Sequence, residues 1–547
     1  MSLIAFLFAC VAPEDAPLQS APVDDSGEPG DTADTGLVDA YCSPAGLTAR
    51  PFTEGGTGAD FDMVAGDFTV ETLAGDWNLR ESFTGCDSYV FITYQADNAN
   101  MANLLDSNIK RWLQDSPTNV HYFFMSLSTG AAAVQADMAA AKALVDVDVA
   151  RLDDDEQAWW NTHIHYLTQN AKAVDGWFGD LATSYQRSLW GFGIDRAQNV
   201  REVGYWADAL TGWEDWSLEL VKYDVIYWNF EAARQERLDA ETATVVRAFD
   251  AELASDGGWT GASIVQDVAL PADIGSYDTL ELDLTMACTG HPETTFCPAW
   301  DYLVYAYLCE PDDEAEDCRE LGRFITTYWR PGRWTVDASA FLAAMQDGGD
   351  KRIRFYTTQT YAITLDLRFS NRGKGAVPFA MEPLWTGGAF NETYNDGHLP
   401  LTVTAPAGAT KAEIVAIISG HGFADDRANC AEFCNHQHEF VANGGTAHLE
   451  EYTMAGTSDG CAEQVAIGTV PNQLGTWPYG RGGWCPGKEV PPWTADITAD
   501  IDLAGENTLS YRGLFEGQPY VPDYLPDDTR SWFGGRIDMN AYIVWSR

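Results

Sequence analysis

The sequence predicts a multidomain chain in which an α/β domain precedes two antiparallel β-sandwiches. Three observations predict it. A chain of 547 residues can build about three full cores. From about residue 45 to 255, strand-like and helix-like segments alternate, as expected of a parallel sheet layered with helices. Beyond residue 256 the segments become short, alternating and β-branched or aromatic, and Gly, Pro, Asn and Asp turns separate them.

Residues 1–10 contain an apolar run ending in Leu7-Phe8-Ala9-Cys10, which resembles a bacterial lipobox with Cys10 as the lipidated residue, although the usual basic leader is missing. Residues 11–44 are rich in Pro, Gly, Ser, Asp and Glu and read as a disordered acidic tether. The α/β domain (45–255) opens with Gly66–Val70. It continues through the apolar run Tyr89–Tyr94, a helix carrying Leu105, Ile109, Trp112 and Leu113 on one face, the run Val120–Met125 and an alanine-rich helix around Met138–Val145. In pattern alone it resembles a thioredoxin-like domain; it has no CxxC, so an accessory or recognition role is expected rather than redox exchange. Its tryptophans, among them Trp159, Trp160, Trp177, Trp190, Trp206, Trp213 and Trp216, are expected chiefly in the core.

A polar helix over Arg234–Leu253, ending at Asp256-Gly257-Gly258, marks the expected boundary. The first sandwich (256–373) should contain strands near Asp278–Leu284, Tyr302–Leu308, Arg352–Thr357 and Ile363–Phe369. The second (374–547) should contain strands near Leu401–Thr404, Glu413–Ile418, Glu439–Ala442, Thr508–Tyr511 and Ala541–Trp545.

Lys+Arg number 32 against 82 Asp+Glu, and this formal charge of -50 opposes binding to nucleic acid or an anionic membrane. There are 11 cysteines. With Cys10 set aside, the rest read as disulfides of an exported protein: Cys288 with Cys297, Cys309 with Cys318, Cys430 with Cys434, and by remainder Cys42 with Cys86 and Cys461 with Cys485. The expected location is outside the cytoplasm, as an outer-membrane lipoprotein or a periplasmic or extracellular protein. Contact with a membrane would run only through the lipid anchor.

Three cysteine-anchored loops each present one charged residue. Asn429-Cys430-Ala431-Glu432-Phe433-Cys434 confines a carboxylate within a small ring, Cys297-Pro298-Ala299-Trp300-Asp301 presents an aspartate, and Tyr479-Gly480-Arg481-Gly482-Gly483-Trp484-Cys485 presents an arginine. Together with Gly322–Trp329 and Ile418–Gly422, these stretches make residues from about 262 to 547 resemble the peptide-N-glycosidase F family of bacterial amidases.

The resemblance implies two eight-stranded jelly rolls side by side with the active site between them. It also implies catalytic roles for Asp301, Glu432 and Arg481, and an aromatic cleft wall on or beside Trp300, Tyr328, Trp329, Phe433 and Trp484. Gln359 and Tyr361 stand where the family has a glutamate and a tryptophan, and His421 where it usually has a tryptophan. The implied reaction hydrolyses the side-chain amide of glycosylated asparagine and needs no metal or cofactor. Its substrates would be N-glycosylated peptides or denatured glycoproteins, and the protein would act as a monomer. A structural ion pair between Asp301 and Arg481 is the competing reading.

Two further functions remain open at this level. His436 and His438 share one strand face, a geometry suited to a metal, and the paired jelly-roll fold also occurs in copper-dependent peptide-amidating monooxygenases. The neutral Gln359 favours a glycan-binding lipoprotein without turnover.

Overall fold

In the computed structural model the described residues are 42, 46–105, 109–184, 190–206, 217–254, 261–311 and 318–547. Cys10, nearly all of the acidic tether, Trp213 and Trp216 lie outside them. Among the described residues no helix is long and apolar enough to cross a membrane.

The N-terminal domain is a seven-stranded sheet in the order Gly75–Asn78, Thr69–Thr72, Ile164–Asn170, Val120–Ser126, Ser88–Thr93, Gly191–Ile194, Val200–Glu202. Its three central strands are parallel, as the alternation predicts, and the flanking strands are antiparallel. Ser88–Thr93 and Val120–Ser126 are apolar almost throughout because both faces are covered. On one face the helix Ala131–Val149 buries Val134, Met138, Ala141 and Val145, spaced by three or four residues as a helical stripe requires. On the other face Phe68, Phe91, Phe123 and Phe178 form a separate cluster. The helix expected around Leu105 is two short ones, Ala99–Leu104 and Ile109–Asp115. Trp160 and Trp206 are core residues.

The boundary helix is displaced. It spans Val221–Ala240, and the residues expected at its C-terminal end form the strand Thr244–Ala254, which pairs with Tyr361–Ser370. Thr244, Val245 and Val246 are β-branched and find a ready sheet edge, so tertiary pairing prevails over the polar, helix-like composition. The first sandwich therefore begins at Thr244 rather than 256.

One sheet of the first sandwich runs Gly332–Asp337, Thr279–Ala287, Tyr361–Ser370, Thr244–Ala254. Its partner runs Arg319–Ile325, Leu303–Cys309, Asp350–Thr357, Ala262–Ala269, and Glu489–Val490 of the second half joins its edge. The second sandwich sets Pro378–Ala389, Arg536–Ser546, Lys411–His421 and Trp493–Asp496 against Leu401–Thr404, Glu506–Phe515, His436–Ala442 and Ala447–Glu451. Every sandwich pairing is antiparallel. The five expected disulfides are present: Cys42–Cys86, Cys288–Cys297, Cys309–Cys318, Cys430–Cys434 and Cys461–Cys485.

The three bodies share one apolar core, which extends from Trp112 and Trp228 through Leu284 and Phe324 to Val415 and Tyr542. Two buried guanidinium groups add direction to it. Arg323, fully buried, is bidentate on Glu320 at 2.8 and 2.9 Å and donates across the sandwich interface to Ser419 Oγ and the Asp538 carbonyl at 2.8 and 2.7 Å. Arg330 donates to Glu293 at 2.9 Å, to Asp224 of the long helix at 3.2 Å, and to the carbonyls of Pro471 and Glu202 at 2.7 and 3.3 Å. It thus ties the N-terminal domain to both sandwiches. Burial, with the charge of Glu202 adding to it, pushes the Glu293 carboxyl up to about 8 despite Arg330. Arg330→Met should strand Asp224 without its cation and lower stability by about 3–5 kcal/mol, read as a fall in the urea midpoint.

Candidate active site

The three charged loops converge. Asp301 sits between the short helix Glu293–Phe296 and the strand Leu303–Cys309. Its loop is held by backbone contacts on both sides: Thr326 Oγ1 donates to the Trp300 carbonyl at 2.5 Å and accepts from the Tyr302 N–H at 2.7 Å. The Gln359 amide completes the clamp. In the orientation that satisfies both of its ends, it donates to the Trp300 carbonyl at 3.0 Å and accepts from the Trp300 N–H at 3.2 Å.

Glu432 lies inside the Cys430–Cys434 ring. Its backbone N–H donates to the Gly422 carbonyl at 3.2 Å, its carbonyl accepts from Gly482 at 2.7 Å, and its Oε2 accepts from Gly422 N–H at 3.1 Å. Gly482 in turn accepts from Gly420 at 2.7 Å, so the glutamate and arginine loops form one hydrogen-bonded unit with the end of the strand Lys411–His421. Glycine is required in this unit. A Cβ on Gly420 or on Gly482 would lie 2.4 Å from Cε1 of His436, whose imidazole fills the space beneath.

Arg481 is 4% exposed and has little freedom. Its Nη1 donates to the Tyr479 carbonyl at 2.8 Å, and its Nη2 donates to the carbonyl and hydroxyl of Thr476 at 3.2 and 3.0 Å. The guanidinium faces the Phe433 and Trp484 rings at 4.5 and 5.2 Å. Nε lies 3.1 Å from Glu432 Oε1, an ion pair whose N–H is not aligned as a hydrogen bond.

Electrostatics couples the set. Burial pushes the Glu432 carboxyl up to about 7; Asp301 adds to the rise, while Arg481 and the Gly422 N–H oppose it. Asp301 keeps partial solvent contact, yet its surroundings are close enough that burial raises its carboxyl above the ordinary range, against Arg481 and a hydrogen bond from the Tyr328 hydroxyl. The same hydroxyl also engages Thr476. Two carboxyls face one cation, so protonating one of them relieves the site.

The expected wall is divided. The Trp300 indole is 57% exposed. Half-buried His421 stacks on Trp484 at 5.1 Å, its Nε2 is 2.8 Å from Ser419 Oγ, and burial holds it neutral, down to about 3. Trp329 is half-buried and packs against the large core. Two residues expected at the substrate are turned inward. Tyr361 is 1% exposed because it sits on an inward-facing position of its strand, and Gln359 is spent on the Trp300 backbone.

The metal alternative is not favoured either. His436 and His438 do share a face, but both are fully buried, and their rings meet each other, Tyr452 and Tyr511. No group of three or more His, Cys, Asp or Glu among the described residues could hold a metal ion.

Sequence reasoning missed Gly422, Thr476 and the buried Gln473, whose Oε1 accepts from the Tyr328 N–H at 2.8 Å and whose Nε2 donates to the carbonyls of Val470 and Pro486 at 2.6 and 2.8 Å. The glycines flanking His421 were the one available signal.

Residues 389–544 match the family model described as peptide-N-glycosidase F, C terminal. The chain is 24% identical over 298 residues to the peptide-N(4)-(N-acetyl-beta-D-glucosaminyl)asparagine amidase F of Elizabethkingia miricola, covering 51% of this chain and 78% of that protein. The C-terminal half is thus similar to the peptide-N-glycosidase F family. Among solved structures, PNGase F, a glycosylasparaginase from Flavobacterium meningosepticum, is 18% identical with a TM-score of 0.43, covering 56% of this chain and 96% of that one. PNGF-II is 14% identical with a TM-score of 0.41, covering 57% of this chain and 67% of its own.

In this half of the chain, Gly482→Ala should cost about 1–3 kcal/mol through overpacking against His436. Gly388→Ala, where a Cβ meets nothing within 4 Å, should stay within about 0.5 kcal/mol. Denaturant titration of the two variants compares them.

Proposed function

We propose that this protein hydrolyses the side-chain amide of N-glycosylated asparagine, releasing the glycan as a glycosylamine and leaving aspartate. The observation that carries the reading is the meeting of Asp301, Glu432 and Arg481 from three separate loops, with the exposed Trp300 beside them. The similarity to an asparagine amidase supports it independently.

An unactivated carboxamide needs a base for water, charge to polarise the carbonyl and a proton for the departing amine. Asp301, ionised and oriented by the Tyr328 hydroxyl, is the base that takes a proton from water. The resulting hydroxide attacks the carbonyl carbon, the C–N bond to the glycosylamine breaks, and Glu432 in its protonated form supplies the proton to the leaving nitrogen. Arg481 acts as a positioning residue: its Nη donors are occupied within the protein, so its charge holds Glu432 and favours the ionised form of Asp301. The scheme uses no metal.

The finer fold assignments follow the same reading. The two sandwiches are jelly rolls, and the N-terminal domain is a thioredoxin-like module without a redox motif, supported by the order of its strands Val120–Ser126, Ser88–Thr93, Gly191–Ile194 and Val200–Glu202. The five disulfides suit an exported enzyme, and the reading takes it as a monomer acting on glycopeptides or denatured glycoproteins. Gln359, turned onto the Trp300 backbone, no longer argues for a binding protein without turnover.

Mass spectrometry of a treated glycopeptide should show Asn converted to Asp, and Asp301→Asn should lower kcat about 10²–10⁴-fold; a variant as fast as the parent would refute the assignment. The pH profile of kcat/KM should rise on the acid side as Asp301 loses its proton, and fall above about pH 7 as Glu432 loses the proton it must donate. Glu432→Gln, which cannot ionise, should be slower and lack the alkaline limb.

A further inference from the structure

We infer that Phe423, Trp532 and Phe533 form a stacking subsite for neutral sugar rings of the glycan, remote from the bond that is cut. The inference rests on the amidase reading and adds to it where the rest of the substrate lies. Trp532 is 84% exposed, Phe533 48% and Phe423 43%, a concentration of solvent-facing rings that a surface carrying this much charge has no structural need for.

These rings continue the candidate active site. Phe433, next to Glu432 and 4.5 Å from the Arg481 guanidinium, meets Phe423 edge-on at 6.0 Å. Phe423 stacks on Phe533 at 6.3 Å, and Phe533 contacts Trp532 at 4.1 Å. An unbroken path of aromatic contacts thus leads from the buried cation to the surface.

The ledge is built into the backbone. The Ser531 N–H donates to the Ala424 carbonyl at 2.9 Å, Leu525 N–H to Asp425 at 3.1 Å and Arg427 N–H to Asp523 at 3.0 Å. Gly422, whose N–H holds Glu432, lies so close to this segment that a Cβ on it would be 2.4 Å from the Gly534 carbonyl oxygen.

Charge selects the occupant. Both cations of the segment are engaged, Arg427 with Asp523 at 3.1 Å and Arg530 with Asp527 at 3.3 Å and with the Tyr524 ring at 4.4 Å. Asp425, whose Oδ2 lies 3.7 Å from where a Cβ on Gly534 would stand, adds a carboxylate beside the rings. A carboxylate rim repels anions and accepts hydroxyl hydrogen bonds, while the ring faces take the C–H face of a sugar. A neutral carbohydrate meets both demands.

The test compares two glycopeptides of one peptide sequence, one carrying a complete neutral branched N-glycan and the other only its two innermost N-acetylglucosamine residues. Trp532→Ala, at a position too exposed to affect folding, should raise KM for the first about tenfold with kcat unchanged and leave both constants for the second unchanged. Equal effects on both substrates, or none, overturn the subsite; so does a KM that follows the length of the peptide, which would make the ledge a peptide surface. Calorimetric titration of the free branched glycan into Asp301→Asn protein, with and without Trp532→Ala, separates this inference from the amidase reading. Binding weakened by Trp532→Ala, while the parent protein turns over neither glycopeptide, keeps the subsite and removes the amidase. Turnover of both substrates without discrimination by Trp532 does the reverse.

Discussion

The arrangement depends on the buried Arg330. One guanidinium, 5% exposed, is shared among Asp224 of the N-terminal domain, Glu293 of the first sandwich and the Pro471 carbonyl of the second half. Asp224 is itself fully buried and also accepts from the Trp206 indole N–H at 2.8 Å and from Asn472 at 2.9 Å. Burying such a network costs desolvation that its Coulomb energy only partly returns, so its gain is better sought in geometry than in net stability. An apolar contact allows bodies to slide against one another; a fork of directed donors fixes their register. Arg330 stands two residues beyond Tyr328, and Asn472 precedes Gln473, the partner of the Tyr328 backbone. The register set at Arg330 is therefore passed directly to the hydroxyl that orients Asp301.

The candidate site repeats this economy of cations. In both places two carboxyls face one guanidinium under burial, and in both the glutamate is pushed toward neutral pH: Glu293 to about 8 and Glu432 to about 7. At Arg330 the consequence is structural, because the donors end on buried protein atoms. At Arg481 the carboxyls border solvent beside Trp300, and a proton held near neutrality can be given away and recovered. Burial raises both acids and carries Glu432 to about 7, where a proton can be exchanged near neutral pH as acid–base chemistry requires. The formal charge of -50 sets the background: 82 acids compete for 32 cations, so a cation fully committed to one pair marks a position the fold depends on.

Local patterning made much of this legible. Alternation of β-branched and aromatic residues located the sandwich strands, and Leu401–Thr404 falls where the pattern placed it. Cysteine spacing led to all five bridges, and the three loops with one charge each supplied Asp301, Glu432 and Arg481. The failures have a common physical origin. Whether Tyr361 faces a cleft or a core depends on which sheet covers its strand, and the covering residues are far away in sequence. Gln359 read as a neutralised acid because its side-chain partner is the backbone of Trp300, which no side-chain pattern can encode. Thr244–Ala254 looked helical until an open edge at Tyr361–Ser370 was available to receive it. His436 and His438 suggested a ligand pair because a strand places them on one face; that face is the sandwich interior, where His436 fills the space left by two glycines.

The N-terminal domain is part of the scaffold of the site, and the long helix shows how. Along one side of Val221–Ala240, Tyr223 meets Trp477 edge-on at 5.9 Å, Asp224 accepts from Asn472, and the Phe230 ring lies where a Cβ on Gly468 would be only 2.9 Å away. These three contacts fall on the stretch between the helical turn Ala462–Ile467 and Arg481, a segment with no regular strand of its own. Irregular backbone keeps one conformation only if its polar groups and side chains are bound from outside. The helix does this on one side and the Cys461–Cys485 bridge on the other. The carbonyls that grip Arg481 come from Thr476 and Tyr479 within the same stretch, so the placement of the guanidinium depends on a domain that contributes none of the three charged groups.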